Sequence, residues 1–278
     1  MTTDTGPVLI TGCSSGIGAA TARRLLADGH TVYATARRPE TLEDLAKDGA
    51  RVLALDVTDE DSMAAAVGTV TAAHGRVGAL VNNAGYGAYG AVEDVPLDRV
   101  RAQFETNVFG LARLTQLVLP AMRRHGGGRI VNMSSMGGRL TFPFGGYYHA
   151  SKHAVEAFSD ALRYEVKPFG IKVSIVEPGL IATRFGETAA GTMSAATPAD
   201  SPYLGTVKAV DEAMTRSYRN RAMTAGPDAV AKAVAHAVSA RRPRTRYVIT
   251  RAARALVTTR AVSPGPVWDR VVRASFGV

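Results

Sequence analysis

Pro7-Val-Leu-Ile-Thr11 runs into Gly12-Cys13-Ser14-Ser15-Gly16-Ile17-Gly18, and Ala19-Ala-Thr-Ala-Arg-Arg-Leu-Leu-Ala27 follows, ending near Gly29. A short run of branched apolar residues, a glycine turn and an apolar-periodic segment read as strand, turn and helix. Glycines let the backbone come close to a pyrophosphate, and the N-terminus of the following helix offers free N–H groups and partial positive charge. At the head of the chain, this arrangement predicts a dinucleotide site built from Gly12, Ser14, Ser15, Gly16, Ile17 and Gly18.

The rest of the chain repeats the alternation. Thr31–Ala36 is a second strand, ending in Arg37-Arg38 where a carboxylate would hold the ribose 2′-hydroxyl of NAD. Arginine there accommodates a 2′-phosphate, so the expected cofactor is NADP(H). Arg51–Val57 is a third strand, with Asp56 and Val57 at its carboxyl end, where ligands of open α/β sheets gather. Asp56 suits an adenine amino contact or a helix N-terminal carboxylate, and the helix over Asp59–His74 keeps both open. Ala79-Leu-Val-Asn82-Asn83-Ala84-Gly85 is a fourth strand running into two amides. Buried amides need partners, so they tie neighbouring strands together or meet a cofactor ribose.

Leu97–Arg124 shows helical spacing of Val100, Phe104, Val108, Leu111, Leu114 and Val118, interrupted by Asn107. An amide in such a stripe satisfies a local backbone group or marks a site. Arg129–Ser135 is the fifth strand, Tyr147–Val166 a helix and Lys172–Pro178 the sixth strand. Arg184–Thr224 is rich in small residues with poor periodicity, and is expected to be a mobile substrate flap with short helices. A helix over Pro227–Ala240, a seventh strand over Arg246–Thr250 and one or two short basic helices complete the chain. Strands alternating with helices predict a doubly wound parallel sheet of about seven strands, in a single domain.

Chemistry concentrates at Tyr148-His-Ala-Ser-Lys152, thirteen residues after Ser135. Spacing four places the Tyr148 and Lys152 side chains on one helix face. An ammonium nearby favours phenolate and draws a phenol toward the working range of acid–base catalysis. The Ser135 hydroxyl can then bond a carbonyl oxygen while Tyr148 exchanges its proton. His149 and His153 share the four-residue spacing, but no third ligand accompanies them and no metal is expected. The single cysteine, Cys13, cannot pair internally, which fits a reducing, cytoplasmic location.

The formal charge of +9 is unevenly placed. From Arg216 onward, 13 Lys and Arg face only Asp228 and Asp269, a net of +11 that leaves the first 215 residues at −2. With few interspersed aromatics and no nucleic-acid module, the basic tail reads as a solvated surface, and neither nucleic acid nor a membrane is an expected partner. No apolar run approaches the roughly 18 residues of a transmembrane helix, and Met1–Pro7 lacks the apolar core of a signal peptide.

Five elements in order give the sequence a clear resemblance: Thr11-Gly12-xxx-Gly16-x-Gly18, Asn82-Asn83-Ala84-Gly85, Asn107, Ser135 with Tyr148-xxx-Lys152, and Pro178-Gly179-xxx-Thr183. It resembles the short-chain dehydrogenase/reductase family, in its compact branch, across about residues 7–250. Its wording around Gly12, Tyr33 and Arg242 looks most like the steroid- and retinol-dehydrogenase-like members. The resemblance implies a Rossmann-type catalytic domain over 7–250, with the flap at 184–224 and residues 251–278 as a basic helical extension. It also implies Tyr148 as general acid/base, Ser135 polarising the carbonyl, and Lys152 lowering the tyrosine pKa while holding the nicotinamide ribose. Asn107 would anchor a proton-relay water, Thr183 would bond the carboxamide end, and Pro178-Gly179 and Asn83-Ala84-Gly85 would complete the cofactor site. The implied activity is reversible hydride transfer between NADP(H) and a hydrophobic carbonyl or alcohol, in a homodimer or homotetramer. Leu140, Phe142, Phe144 and Tyr86 are expected on the substrate side. A different class of answer is a non-catalytic NADP(H)-sensing or partner-binding protein on the same fold.

Overall fold

The computed structural model describes residues 5–276, without the side chains at 184, 187–190 and 194. The first four residues of the polar leader and the last two of the basic tail lie outside the described residues. Seven parallel strands form one sheet in the order β3 (Arg51–Ala54), β2 (Val32–Ala36), β1 (Val8–Ile10), β4 (Ala79–Asn82), β5 (Gly128–Met133), β6 (Ile171–Glu177) and β9 (Arg246–Val248). β1 pairs with β2 and β4, so the order reverses beside it, and ligands of such sheets bind at the carboxyl ends of the strands there.

Side-chain alternation along the strands divides the core. Val8 and Ile10 of β1 and Val81 of β4 face one layer, packing with Ala22 and Leu25 of α1 (Gly16–Ala27) and Val230, Val234 and Val238 of α9 (Pro227–Ser239). Leu9, Leu80, Ile130 and Val173 face the other. There they meet α3 (Glu60–His74), α5 (Gly110–Arg124) and α6 (Gly146–Glu165) through Met63, Val70, Leu114, Met122 and Leu162. The residues are apolar on both faces because both are covered by helices.

The seven-strand parallel architecture agrees with the sequence reading; details differ. Residues 184–224 hold α7 (Arg184–Ala196), α8 (Leu204–Arg219) and the edge strand β8 (Thr224–Ala225), which pairs with β7 (Leu180–Ile181) in a second, small sheet. These helices, of 13 and 16 residues, are longer than expected. Small residues blur the pattern, but Val207, Val210 and Ala213 form a buried stripe three apart. A short helix, α2 (Glu43–Lys47), went unread. The Leu97–Arg124 helix is continuous through α4 (Leu97–Phe104) and α5, but Glu105–Phe109 between them is wound as a π turn holding Asn107. The tail forms two helices, α10 (Arg251–Val262) and α11 (Gly265–Phe276). Trp268 and Phe276 of α11 lie against Phe142 at ring-centroid distances of 6.4 and 5.0 Å.

Candidate active site

The glycine turn is fixed by sterics. Gly12 and Gly16 adopt φ of +72° and +57°, where a Cβ is strained. A Cβ on Gly12 would lie 2.9 Å from the Ala84 Cα, and one on Gly18 2.7 Å from the Asn83 Nδ2 and closer still to the Gly12 carbonyl. The turn is braced from β4: Asn83 Nδ2 donates to the Thr11 and Gly12 carbonyls at 2.9 and 3.0 Å, and the Thr11 hydroxyl accepts from the N–H groups of Asn83 and Ala84. Asn82 donates instead to Thr115 and Asn132, and Asn132 to Ser159, which ties β4 and β5 to the helices above them. Cys13 is buried, its thiol pushed up to about 12 by burial, and it serves as a small turn residue.

A cavity of about 1160 Å³ opens at the carboxyl ends of the strands. Its lining takes in Gly12, Ser14, Ser15, Gly16, Ile17, Gly18, Arg37, Asp56, Val57, Asn83, Ala84, Gly85, Ser135, Tyr148, Lys152, Pro178, Gly179 and Thr183. Arg38 is exposed and lies outside that lining. Asp56 accepts from the N–H and hydroxyl of Thr58, while Asp59 caps α3 by accepting from the Ser62 N–H. The helix-capping role that the sequence left open to Asp56 therefore falls to Asp59.

Asn107 sits behind the lining. It accepts from the Tyr86 N–H at 3.0 Å and donates to the Tyr86 carbonyl at 2.9 Å and the Ser151 hydroxyl at 3.1 Å. The π turn aims this amide at the loop after β4 and so satisfies that loop's backbone. A Cβ on Gly85 would stand 2.9 Å from the Asn107 Oδ1 and 3.4 Å from the Lys152 Nζ, so Asn107 and Lys152 approach the same glycine.

Ser135, Tyr148 and Lys152 meet where β5 ends and α6 begins. The Ser135 hydroxyl stands near enough to the Tyr148 phenol to favour its ionised form, and it accepts from the Gly137 N–H. Lys152 Nζ donates to the Met133 carbonyl at 3.0 Å and lies 6.0 Å from the centre of the Tyr148 ring. Burial pushes the Tyr148 phenol above its usual range, against the pull of the Ser135 hydroxyl, and pulls Lys152 down to about 8, with Glu156 opposing. Desolvation thus outweighs the ammonium–phenol attraction on which the spacing argument relied. His149 is buried, and burial draws it down to about 4; His153 bonds the His149 carbonyl. No cluster able to hold a metal occurs among the described residues.

Of the expected substrate-side residues, Tyr86 and Phe142 line the cavity, whereas Leu140 is fully buried and Phe144 packs against Tyr203. Tyr89, His149, Phe185, Met214, Tyr218 and Phe276 form the wall that sequence reasoning missed. Apart from His149, which was read only as a metal candidate, these residues carry no local motif, because the wall is assembled from the loop after β4 and from helices distant in sequence.

A Rossmann sheet, a glycine cradle that leaves no space for side chains, and a Ser–Tyr–Lys cluster in one cavity define a nicotinamide-dependent oxidoreductase. The chain belongs to the short chain dehydrogenase family, whose model matches residues 7–193. It is 38% identical over 267 residues to the uncharacterized oxidoreductase YbbO of Escherichia coli, covering 96% of this chain and 93% of that one. It is 46% identical over 178 residues to the 3-ketodihydrosphingosine reductase of Bacteroides thetaiotaomicron, covering 64% and 65%. Among solved structures, a metagenomic short-chain oxidoreductase in complex with NADP matches with TM-score 0.68 and 27% identity, over 88% of this chain and 97% of that one. A Burkholderia phymatum family member in complex with NAD matches with TM-score 0.78 and 26% identity, over 92% of each.

Proposed function

We propose that the protein is an NADPH-dependent carbonyl reductase, running reversibly as an alcohol dehydrogenase, on a neutral hydrophobic substrate. The observation that carries this reading is that Ser135, Tyr148 and Lys152 line one cavity together with the glycine turn. In this reading a bound nicotinamide supplies the hydride. Ser135 and Tyr148 polarise the carbonyl oxygen, and Tyr148 gives it a proton. Lys152 holds ribose hydroxyls, Asn107 supports a water that resupplies the proton, and Thr183 orients the carboxamide. Thr183 suits that role because a Cβ on Gly16 would stand 3.3 Å from its methyl group, so the threonine borders the glycine turn.

Arg37 supports NADPH: it stands in the lining directly after β2, where a 2′-phosphate is held in this fold. The apolar substrate follows from the wall beyond β6. Phe185, Met214, Met223, Leu256 and Phe276 line it, and the described lining residues from Pro178 onward include no charged side chain. Residues 251–278 belong to the same catalytic domain in this reading, since Leu256 and Phe276 help build the wall. The cytoplasm suits it as well, given the one buried free thiol.

The test is titration of purified protein with both cofactors, together with a ketone screen on wild type and Tyr148→Phe. NADPH is expected to bind at least about tenfold tighter than NADH, and the variant to bind NADPH while losing turnover by about 100-fold or more. Tighter NADH binding refutes the phosphate argument; retained turnover removes Tyr148 from its role.

A further inference from the structure

His149, next to Tyr148 in sequence, carries a buried nitrogen that nothing in the mechanism above uses. The ring is 4% exposed and sits on the cavity wall, against the rings of Tyr89, Phe142 and Tyr148 at 6.4, 6.0 and 5.6 Å. Its Nδ1 lies 3.1 Å from the Gly137 carbonyl. A carbonyl can only accept, so Nδ1 carries the proton in this contact. The neutral imidazole then presents Nε2 as a pure acceptor. Its depressed pKa, about 4, keeps it neutral at working pH. Nε2 is buried with no hydrogen-bond partner among the described residues. Gly145 packs against it, and a Cβ there would stand 2.5 Å from Nε2 and 3.1 Å from the Tyr89 ring.

A buried acceptor without a donor carries a free-energy cost that the fold does not recover. At a site wall, such an acceptor rewards a ligand that brings a donor and discriminates against one that does not. Resting on the carbonyl-reductase reading, we propose that His149 is a specificity residue whose Nε2 accepts a hydrogen bond from a substrate hydroxyl carried one or two carbons from the reacting carbonyl. A short span suits two side chains adjacent in sequence, with ring centres 5.6 Å apart. The substrate class narrows accordingly, from hydrophobic ketones to long-chain or ring-bearing hydroxyketones.

The test compares NADPH-dependent reduction of 1-hydroxydodecan-2-one, 1-methoxydodecan-2-one and dodecan-2-one. The methoxy compound keeps the oxygen and loses only the donor. Wild type is expected to favour the hydroxyketone by about tenfold in kcat/KM over both others, the worth of one buried hydrogen bond. In His149→Asn, whose amide can still reach the Gly137 carbonyl but not the Nε2 position, that ratio is expected to fall to near one. His149→Gln, which returns an acceptor near Nε2, is expected to restore most of it. Equal wild-type rates on the three ketones overturn the inference and leave the reductase reading standing. So does an unchanged ratio in His149→Asn, which assigns the preference elsewhere, or an equal loss on all three ketones, which makes His149 a packing residue. No turnover of any ketone, with NADPH still bound, sinks the reductase reading and this inference with it.

Discussion

At the scale of single residues, Tyr148 and Lys152 show how burial redirects a spacing argument. Four residues apart on α6, they share a face, yet the lysine is desolvated along with the phenol. The result is a phenol that keeps its proton at neutral pH, and in the proposed reaction it would donate that proton to a carbonyl oxygen. Reductive kcat/KM is expected to stay level from pH 6 to 8. Oxidation, which needs the phenolate as base, is expected to climb across the same range. Initial rates in both directions check this, and a reductive rate that falls between pH 6 and 7.5 contradicts it. Asn107 was an interruption in an apolar stripe, with a structural and a functional explanation both open. Its three hydrogen bonds account for the amide structurally, and the proton-relay water belongs to the proposed mechanism.

Among the elements, the strand–turn–helix unit was readable because its requirements are local. The apolar run, the glycines and the following helix each announce themselves within a few residues. What the turn rests on was not local: more than 70 residues away, Asn83 holds the Thr11 and Gly12 carbonyls and the Ala84 N–H holds the Thr11 hydroxyl. Gly18→Ala is expected to push the Asn83 amide off the Gly12 carbonyl, because the added carbon and that amide nitrogen would be 2.7 Å apart. NADPH affinity should drop by about tenfold or more, with about 1–3 kcal/mol of stability lost. Isothermal titration and urea unfolding check the pair, and an unaltered affinity would show that the turn tolerates the methyl group. Leu97 on α4, Phe109 beside α5 and Tyr164 on α6 are large apolar side chains exposed on the long helices. We propose that these faces join two or four chains. Light scattering showing a monomer at micromolar concentration would exclude it.

On the scale of the whole molecule, a buried ion cluster joins elements that no sequence window relates. Arg246 of β9 reaches Glu177 of β6 at 3.1 Å, Glu156 of α6 at 3.1 Å and the more exposed Asp160 at 2.6 Å. Burial holds Glu177 up at about 7, against the opposing pull of Arg139 and Arg246. Its folded pKa lies above the unfolded one, so protonation favours the folded state between about pH 4.5 and 7, and the ionised carboxylate weighs on the fold above that. Arg246→Ala is therefore expected to destabilise by about 3 kcal/mol at pH 8 and by less at pH 5.5. Urea unfolding at both values measures the difference, and an equal loss at the two would remove Glu177 from the account.

The sequence by itself determined the alternation of strands and helices, the parallel sheet, the glycine turn and the Ser135–Tyr148–Lys152 set. Apolar period, glycine and spacing are local properties that survive without a partner. Only the tertiary structure decided which distant side chains wall the cavity, that Arg38 stays outside it, and that α7 and α8 are long helices. Burial, too, is decided there: the shifts at Tyr148, Lys152, His149 and Glu177 come from desolvation, and desolvation exists only once remote helices have closed over the sheet.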